Sequence, residues 1–182
     1  MMGIIILIVV ILLVIFVIMN YNTLVKLRNI VQDQWAQIEV LLKRRADLIP
    51  NLIETVKGYT KHESETLEAV ISARNKAVNA SNRDDEMKAN GELNSALRKL
   101  FALAENYPDL KANTSFIDLQ NNLKESEDKI SYARQFYNDS VLRYKNKLEV
   151  FPSNIVASIF GFKPIAFFEA NEEERETPKV KF

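Results

Sequence analysis

The feature that most constrains this chain is an uninterrupted apolar run near its start. Ile4-Ile5-Ile6-Leu7-Ile8-Val9-Val10-Ile11-Leu12-Leu13-Val14-Ile15-Phe16-Val17-Ile18-Met19 contains no polar or charged side chain. As a helix, residues 1–19 would span about 28 Å, close to the ~30 Å hydrocarbon core of a bilayer. Ile and Val are poor helix formers in water. In lipid the run must still be helical, because no water is there to satisfy open backbone groups. No Lys or Arg precedes it, and it is longer than the ~7–15 apolar residues of a cleaved signal peptide. Asn20-Tyr21-Asn22-Thr23 offers no pair of small residues for cleavage. The expectation is a retained anchor at residues 1–20. The nearest basic residues, Lys26 and Arg28, follow the run. The positive-inside rule then places the amino terminus outside and the rest of the chain in the cytoplasm.

About 160 residues remain, enough for one domain. Lys plus Arg equals Asp plus Glu at 24 each, which removes the electrostatic case for nucleic acid. There is no cysteine, so disulfides, thiolate chemistry and Cys-based zinc sites are excluded. Only 4 glycines and 5 prolines punctuate the chain, which favours a few long helices over an all-β domain with its many turns.

Periodicity supplies those helices. Leu24, Leu27, Val31, Trp35, Ile38, Leu42 and Arg45 recur every three or four residues. No Gly or Pro separates them from the anchor, so one helix is expected from the membrane to about Asp47, with Pro50 kinking or breaking it. Thr60 and Glu63 have capping-box spacing ahead of a stripe of Leu67, Val70, Ile71, Arg74, Ala77 and Val78. Acidic Asp84-Asp85-Glu86 opens a third helix with Leu93, Leu97, Leu100, Phe101 and Ala104 on one side. Asn113 or Thr114 can cap the next. Phe116, Leu119, Leu123, Glu127, Ile130, Arg134, Tyr137, Val141, Tyr144, Leu148 and Phe151 then keep a heptad-like spacing up to Pro152. A short turn follows, ended by Gly161. Phe162, Ile165, Phe167 and Phe168 either pack on the bundle or touch the membrane surface, with packing preferred. The expected fold is all-α: an antiparallel bundle of about four long helices over residues 21–168, its first helix continuous with the anchor. Residues 169–182 are expected to form a charged, mobile tail.

Catalytic chemistry has little to stand on. His62 is the only histidine, and His62-Glu63 is followed by Thr66 where a zinc-protease motif needs a second histidine. One histidine cannot complete a conventional zinc site or a Glu-x-x-His di-iron bundle. Neither a nucleophile elbow nor a phosphate-binding glycine loop is present. No enzyme activity, metal or cofactor is expected. Two arginines, Arg74 and Arg134, sit in apolar stripes, as does Glu127. A buried charge is costly unless paired. These arginines either form interhelical ion pairs, with Glu127 and Glu54 as candidate acids, or snorkel to the seam edge. Lys43, Arg44 and Arg45 make a basic cluster, readable as a partner surface or as a solvated face.

Several stretches resemble the LemA family. They are Tyr21-Asn22-Thr23-Leu24-Val25-Lys26-Leu27-Arg28-Asn29, Trp35-Ala36-Gln37-Ile38-Glu39-Val40, and Lys43-Arg44-Arg45-Ala46-Asp47-Leu48-Ile49-Pro50-Asn51-Leu52 with Glu54-Thr55-Val56-Lys57-Gly58-Tyr59. Ala104-Glu105-Asn106-Tyr107-Pro108-Asp109-Leu110-Lys111-Ala112, Phe151-Pro152 and Phe160-Gly161-Phe162 continue the likeness. The resemblance implies a bacterial protein with one amino-terminal membrane helix and a helical-bundle domain. Such proteins also occur among magnetosome proteins, and their genes often neighbour those of membrane-bound metalloproteases. It implies no catalytic residues. The functional expectation is a non-enzymatic scaffold or interaction module at the bacterial cytoplasmic membrane. Its partners would be lipid, an unidentified membrane or cytoplasmic protein, or further copies of itself. The alternative is an adaptor or regulator of a membrane-bound metalloprotease.

Overall fold

Apolar residues spaced at three and four along the chain, with little glycine to interrupt them, give helices and nothing else in regular structure among the described residues. The computed structural model describes residues 1–60 and 63–168. His62 and the charged tail at residues 169–182 lie outside them. Six helices follow one another: α1 (Met2–Lys57), α2 (Ser64–Val78), α3 (Arg83–Ala104), α4 (Pro108–Lys111), α5 (Thr114–Glu149) and α6 (Ser153–Ile159). They divide between two compact units, Met1–Gln37 with Ala133–Phe167, and Ile38–Tyr132 with Phe168. Helices α1 and α5 each contribute one part to each unit.

In the first unit, α1 begins with the apolar run, every residue of which is exposed apart from half-buried Val17. Beyond it the expected stripe turns inward: Leu24, Val31 and Trp35 are buried. Helix α5 answers with Tyr137, Val141 and Tyr144. Trp35 packs edge-on against Tyr137 at 5.3 Å between ring centroids, and Arg28 acts electrostatically on Tyr144. The pairs run in opposite chain order, so the two helices are antiparallel here. The phenol of Tyr144 is pushed above its ordinary pKa by burial, opposed by the Arg28 cation. The segment after α6 packs along α5. Tyr137 donates its hydroxyl to Ala166 O at 2.9 Å, and Tyr144 donates to Lys163 O at 3.1 Å. Phe162, Ile165 and Phe167 are accordingly half-buried.

In the second unit, α2 and α3 form an antiparallel hairpin. Asn82 caps α3 by accepting from Asp85 N at 2.9 Å, and Lys76 pairs with Glu92 across the hairpin at 2.8 Å. The core joins Ile49, Leu52 and Val56 of α1, Leu67 and Val70 of α2, Leu93, Leu97 and Leu100 of α3, and Phe116 and Leu123 of α5. Asn113 caps α5 through Phe116 N at 3.0 Å.

Four details depart from expectation. Helix α1 does not stop near Asp47; it runs through Pro50 to Lys57. The Thr60–Glu63 capping box does not form. Thr60 instead donates to Val56 O at 3.1 Å, closing α1, and Glu63 accepts from the Tyr107 hydroxyl at 3.0 Å. Helix α2 buries Leu67, Val70 and Ala73, leaving Val78 52 % exposed, because it packs on a narrower face than its full stripe. Phe151 falls after the end of α5 and is 75 % exposed.

Candidate functional site

A proline inside a helix removes one backbone donor, and the carbonyl four residues earlier loses its partner. For Pro50 that carbonyl belongs to Ala46, which is buried. Arg74 of α2 supplies the replacement: its Nε donates to Ala46 O at 3.3 Å, and its NH1 reaches Asn75 Oδ1 at 3.4 Å. The arginine in the α2 stripe thus satisfies the acceptor that Pro50 leaves open inside α1. Glu54 borders the same shallow cleft as Arg74, yet neither arginine bond goes to it.

Glu127 does form an interhelical ion pair, and its partner is Arg45. Arg45 extends the α1 stripe at the i+3 position after Leu42, and its side chain is only 1 % exposed. A guanidinium in that position needs acceptors on several sides. It donates through NH1 to Glu127 Oε2 and Asn94 Oδ1, and through NH2 to Asn90 Oδ1 at 2.6 Å. Asn94 in turn donates to Glu127 Oε1 at 3.2 Å. Asn90, itself buried, donates to Glu86 O at 2.8 Å. The node thus ties α1, α3 and α5 together through side chains of fixed geometry. The Glu127 side chain is 37 % exposed, so one edge of the node is wet. A cleft of about 600 Å³ opens there, bordered by Arg45, Asn94, Arg98, Phe101, Gln120, Lys124, Glu127 and Asp128.

Arg45 therefore does not belong to a surface patch with Lys43 and Arg44. On a helix the three point in different directions, and only Lys43 and Arg44 face solvent. Lys43 pairs with Asp47 at 3.6 Å, and Arg44 acts electrostatically on Glu125. The Glu125 carboxyl is held below its ordinary pKa, first by its hydrogen bond from Lys129. Arg134 lies half-buried on α5.

Local spacing alone does not single out Asn90 and Asn94. They stand four apart and flank Leu93, on the buried side of α3, which was the available signal. Beneath them, Glu86 has its carboxyl raised above the ordinary value, first by burial and then by the Glu39 carboxylate, against the lowering effect of Arg83. Among the described residues, no group of three or more His, Asp or Glu side chains is placed to hold a metal ion. The apolar run is the other candidate functional element. Helix α1 is long and apolar enough there to cross a membrane, and none of that window is buried.

The LemA family model matches residues 34–182. The chain belongs to the LemA family. The match takes in both asparagines, Pro50, Arg74, Arg45 and Glu127, while the Tyr21–Asn29 stretch precedes it. Among its relatives, Protein LemA of Metamycoplasma hominis is 27% identical over 155 residues, covering 85% of this chain and 71% of the relative. Magnetosome protein MamQ 2 of Paramagnetospirillum magneticum is 26% identical, over 84% of this chain and 65% of its own length. Magnetosome protein MamQ of Magnetospirillum gryphiswaldense is 25% identical, over 90% and 71%. This chain thus spans about two thirds of the length of the magnetosome relatives.

Proposed function

We propose that this LemA-family chain is a single-pass protein of the bacterial cytoplasmic membrane, with its amino terminus outside and its helical bundle in the cytoplasm. The bundle serves as a non-enzymatic scaffold that binds a membrane or cytoplasmic protein, or further copies of itself. The observation that carries this reading is the state of α1. Its apolar residues 4–19 are not used in the fold, yet the same helix continues without a break into the buried stripe from Leu24 to Arg45. Leaving sixteen large apolar side chains in water would be strongly unfavourable, at about 25 cal/mol per Å² of apolar surface. A bilayer removes that cost, and the continuous helix then carries the bundle at the membrane surface.

Crosslinking in living cells, followed by membrane solubilisation and purification, tests the proposal. Recovery of one specific membrane partner or of a defined homo-oligomer supports it. A strictly solitary monomer at native abundance, or release of the full chain by alkaline carbonate, refutes it.

A further inference from the structure

Helix α6 buries one face and leaves three large apolar side chains exposed on the other. Ser153, Val156 and Ala157 turn inward and are nearly inaccessible. On the other side Ile155 is 50 % exposed, Ile159 71 % and Phe160 50 %. Three large apolar side chains standing together in the open are the kind of surface that normally meets lipid or protein. The structure also places the Phe160 end of this face beside the end of the apolar run. Helix α6 ends in a Schellman turn: Gly161 has φ 68°, Phe162 N donates to Ala157 O at 3.0 Å, and Gly161 N donates to Ser158 O at 3.2 Å. This turn sets Phe160 and Phe162 on either side of Gly161, and both rings meet Tyr21, at 4.9 and 5.6 Å between centroids. Tyr21 lies two residues beyond Met19, the last residue of the apolar run, or about 3 Å along the helix axis. Arg28 lies over the Phe162 ring at 5.4 Å, and Lys163 follows, exposed to solvent. Aromatic rings at the end of a membrane span, with cations just beyond them, match the chemistry of the headgroup region.

We propose that the exposed face of α6, through Ile155, Ile159 and Phe160, is embedded in the headgroup–acyl boundary of the same bilayer that α1 crosses. The inference rests on the anchor reading above and extends it. The chain then has two attachments to lipid, one spanning and one lying in the interface. Interfacial helices lie in the membrane plane and bury their apolar face about 5–10 Å into that boundary. The second attachment would stop the first unit from swivelling about its stalk and hold its α6 side toward the membrane.

The absence of cysteine permits single-site labelling without background. Full-length Ile159→Cys, Ile11→Cys and Gln32→Cys variants are labelled with a nitroxide and placed in nanodiscs of phosphatidylcholine with a minor share of phosphatidylglycerol. Gln32 is exposed and about 20 Å along α1 from Met19, so it serves as the aqueous reference. Power-saturation measurements compare collision with oxygen, which concentrates in lipid, and with a water-soluble nickel chelate. The expected result is a preference for oxygen at Ile159→Cys, with nickel access several-fold below that at Gln32→Cys. Nickel access equal to that at Gln32→Cys, with Ile11→Cys still reporting hydrocarbon, overturns the inference and leaves the anchor intact. A label at Ile159→Cys shielded from both reagents shows that protein covers the face, and also overturns it. Nickel access at Ile11→Cys overturns the anchor and the inference together.

Discussion

Replacing Arg74 by methionine isolates the hydrogen bond to the carbonyl that Pro50 leaves without its helical partner. Methionine keeps much of the aliphatic stem packing while removing every donor. The bond runs from Nε to the buried Ala46 carbonyl at 3.3 Å. A hydrogen bond from a charged donor contributes a net ~1.5–3 kcal/mol, and an orphaned buried carbonyl costs a comparable amount. The length of the bond, and the cleft bordered by Ala46 and Arg74 that admits water, put this one at the lower end. A loss of about 1–1.5 kcal/mol corresponds to a roughly tenfold change in an opening equilibrium. Hydrogen exchange of the full chain in nanodiscs, read on peptides covering residues 52–56 and 67–73, should therefore accelerate by up to about tenfold. The control is Pro50→Ala, which restores an amide for Ala46 O and relieves a helix-interior proline that costs about 3 kcal/mol. In that background Arg74→Met should accelerate exchange by less than about twofold, a coupling of about 1 kcal/mol. Equal acceleration in both backgrounds would show that Arg74 acts through something other than the carbonyl left by Pro50.

Three further outcomes are expected. Arg45→Met strands Asn90 Oδ1 and should cost about 1–3 kcal/mol by the same measurement; adding Asn90→Leu should recover part of the loss, and a further loss would contradict the account of the node. For Glu86, burial raises the folded-state pKa above the ordinary 4.5. The folded state then holds its proton more tightly, so the penalty is absent below pH 4.5, grows as pH rises, and is complete above the folded pKa. Glu86→Gln should thus gain stability relative to the parent between pH 4 and pH 7, and urea titrations showing a constant difference would refute the assignment. Ser81→Cys, in the exposed turn between α2 and α3, should resist an impermeant thiol reagent in intact cells; labelling would put the bundle on the outer side.

Much of the fold could be read from local pattern, because a helix writes its buried face into residues three and four apart. Leu24 to Arg45 on α1, Leu93 to Ala104 on α3 and most of the α5 seam are where the spacing puts them. The site was less readable for a specific reason. Arg45 is 45 residues from Asn90 and 82 from Glu127. A local pattern can flag a charge in an apolar stripe, but not which distant acceptors enclose it.

The amino-acid order alone determined the helical class, the unbroken apolar run and its passage into an amphipathic helix, since each follows from neighbours along the chain. Tertiary structure alone decided that Pro50 interrupts nothing and that Arg45, not Arg44 or Lys43, is interior. It also decided that the aromatic turn after α6 stands beside Tyr21. The physical reason is common to all three: a backbone carbonyl, a guanidinium and an exposed ring each take their state from whatever group the folded chain brings to them, and those groups come from other helices.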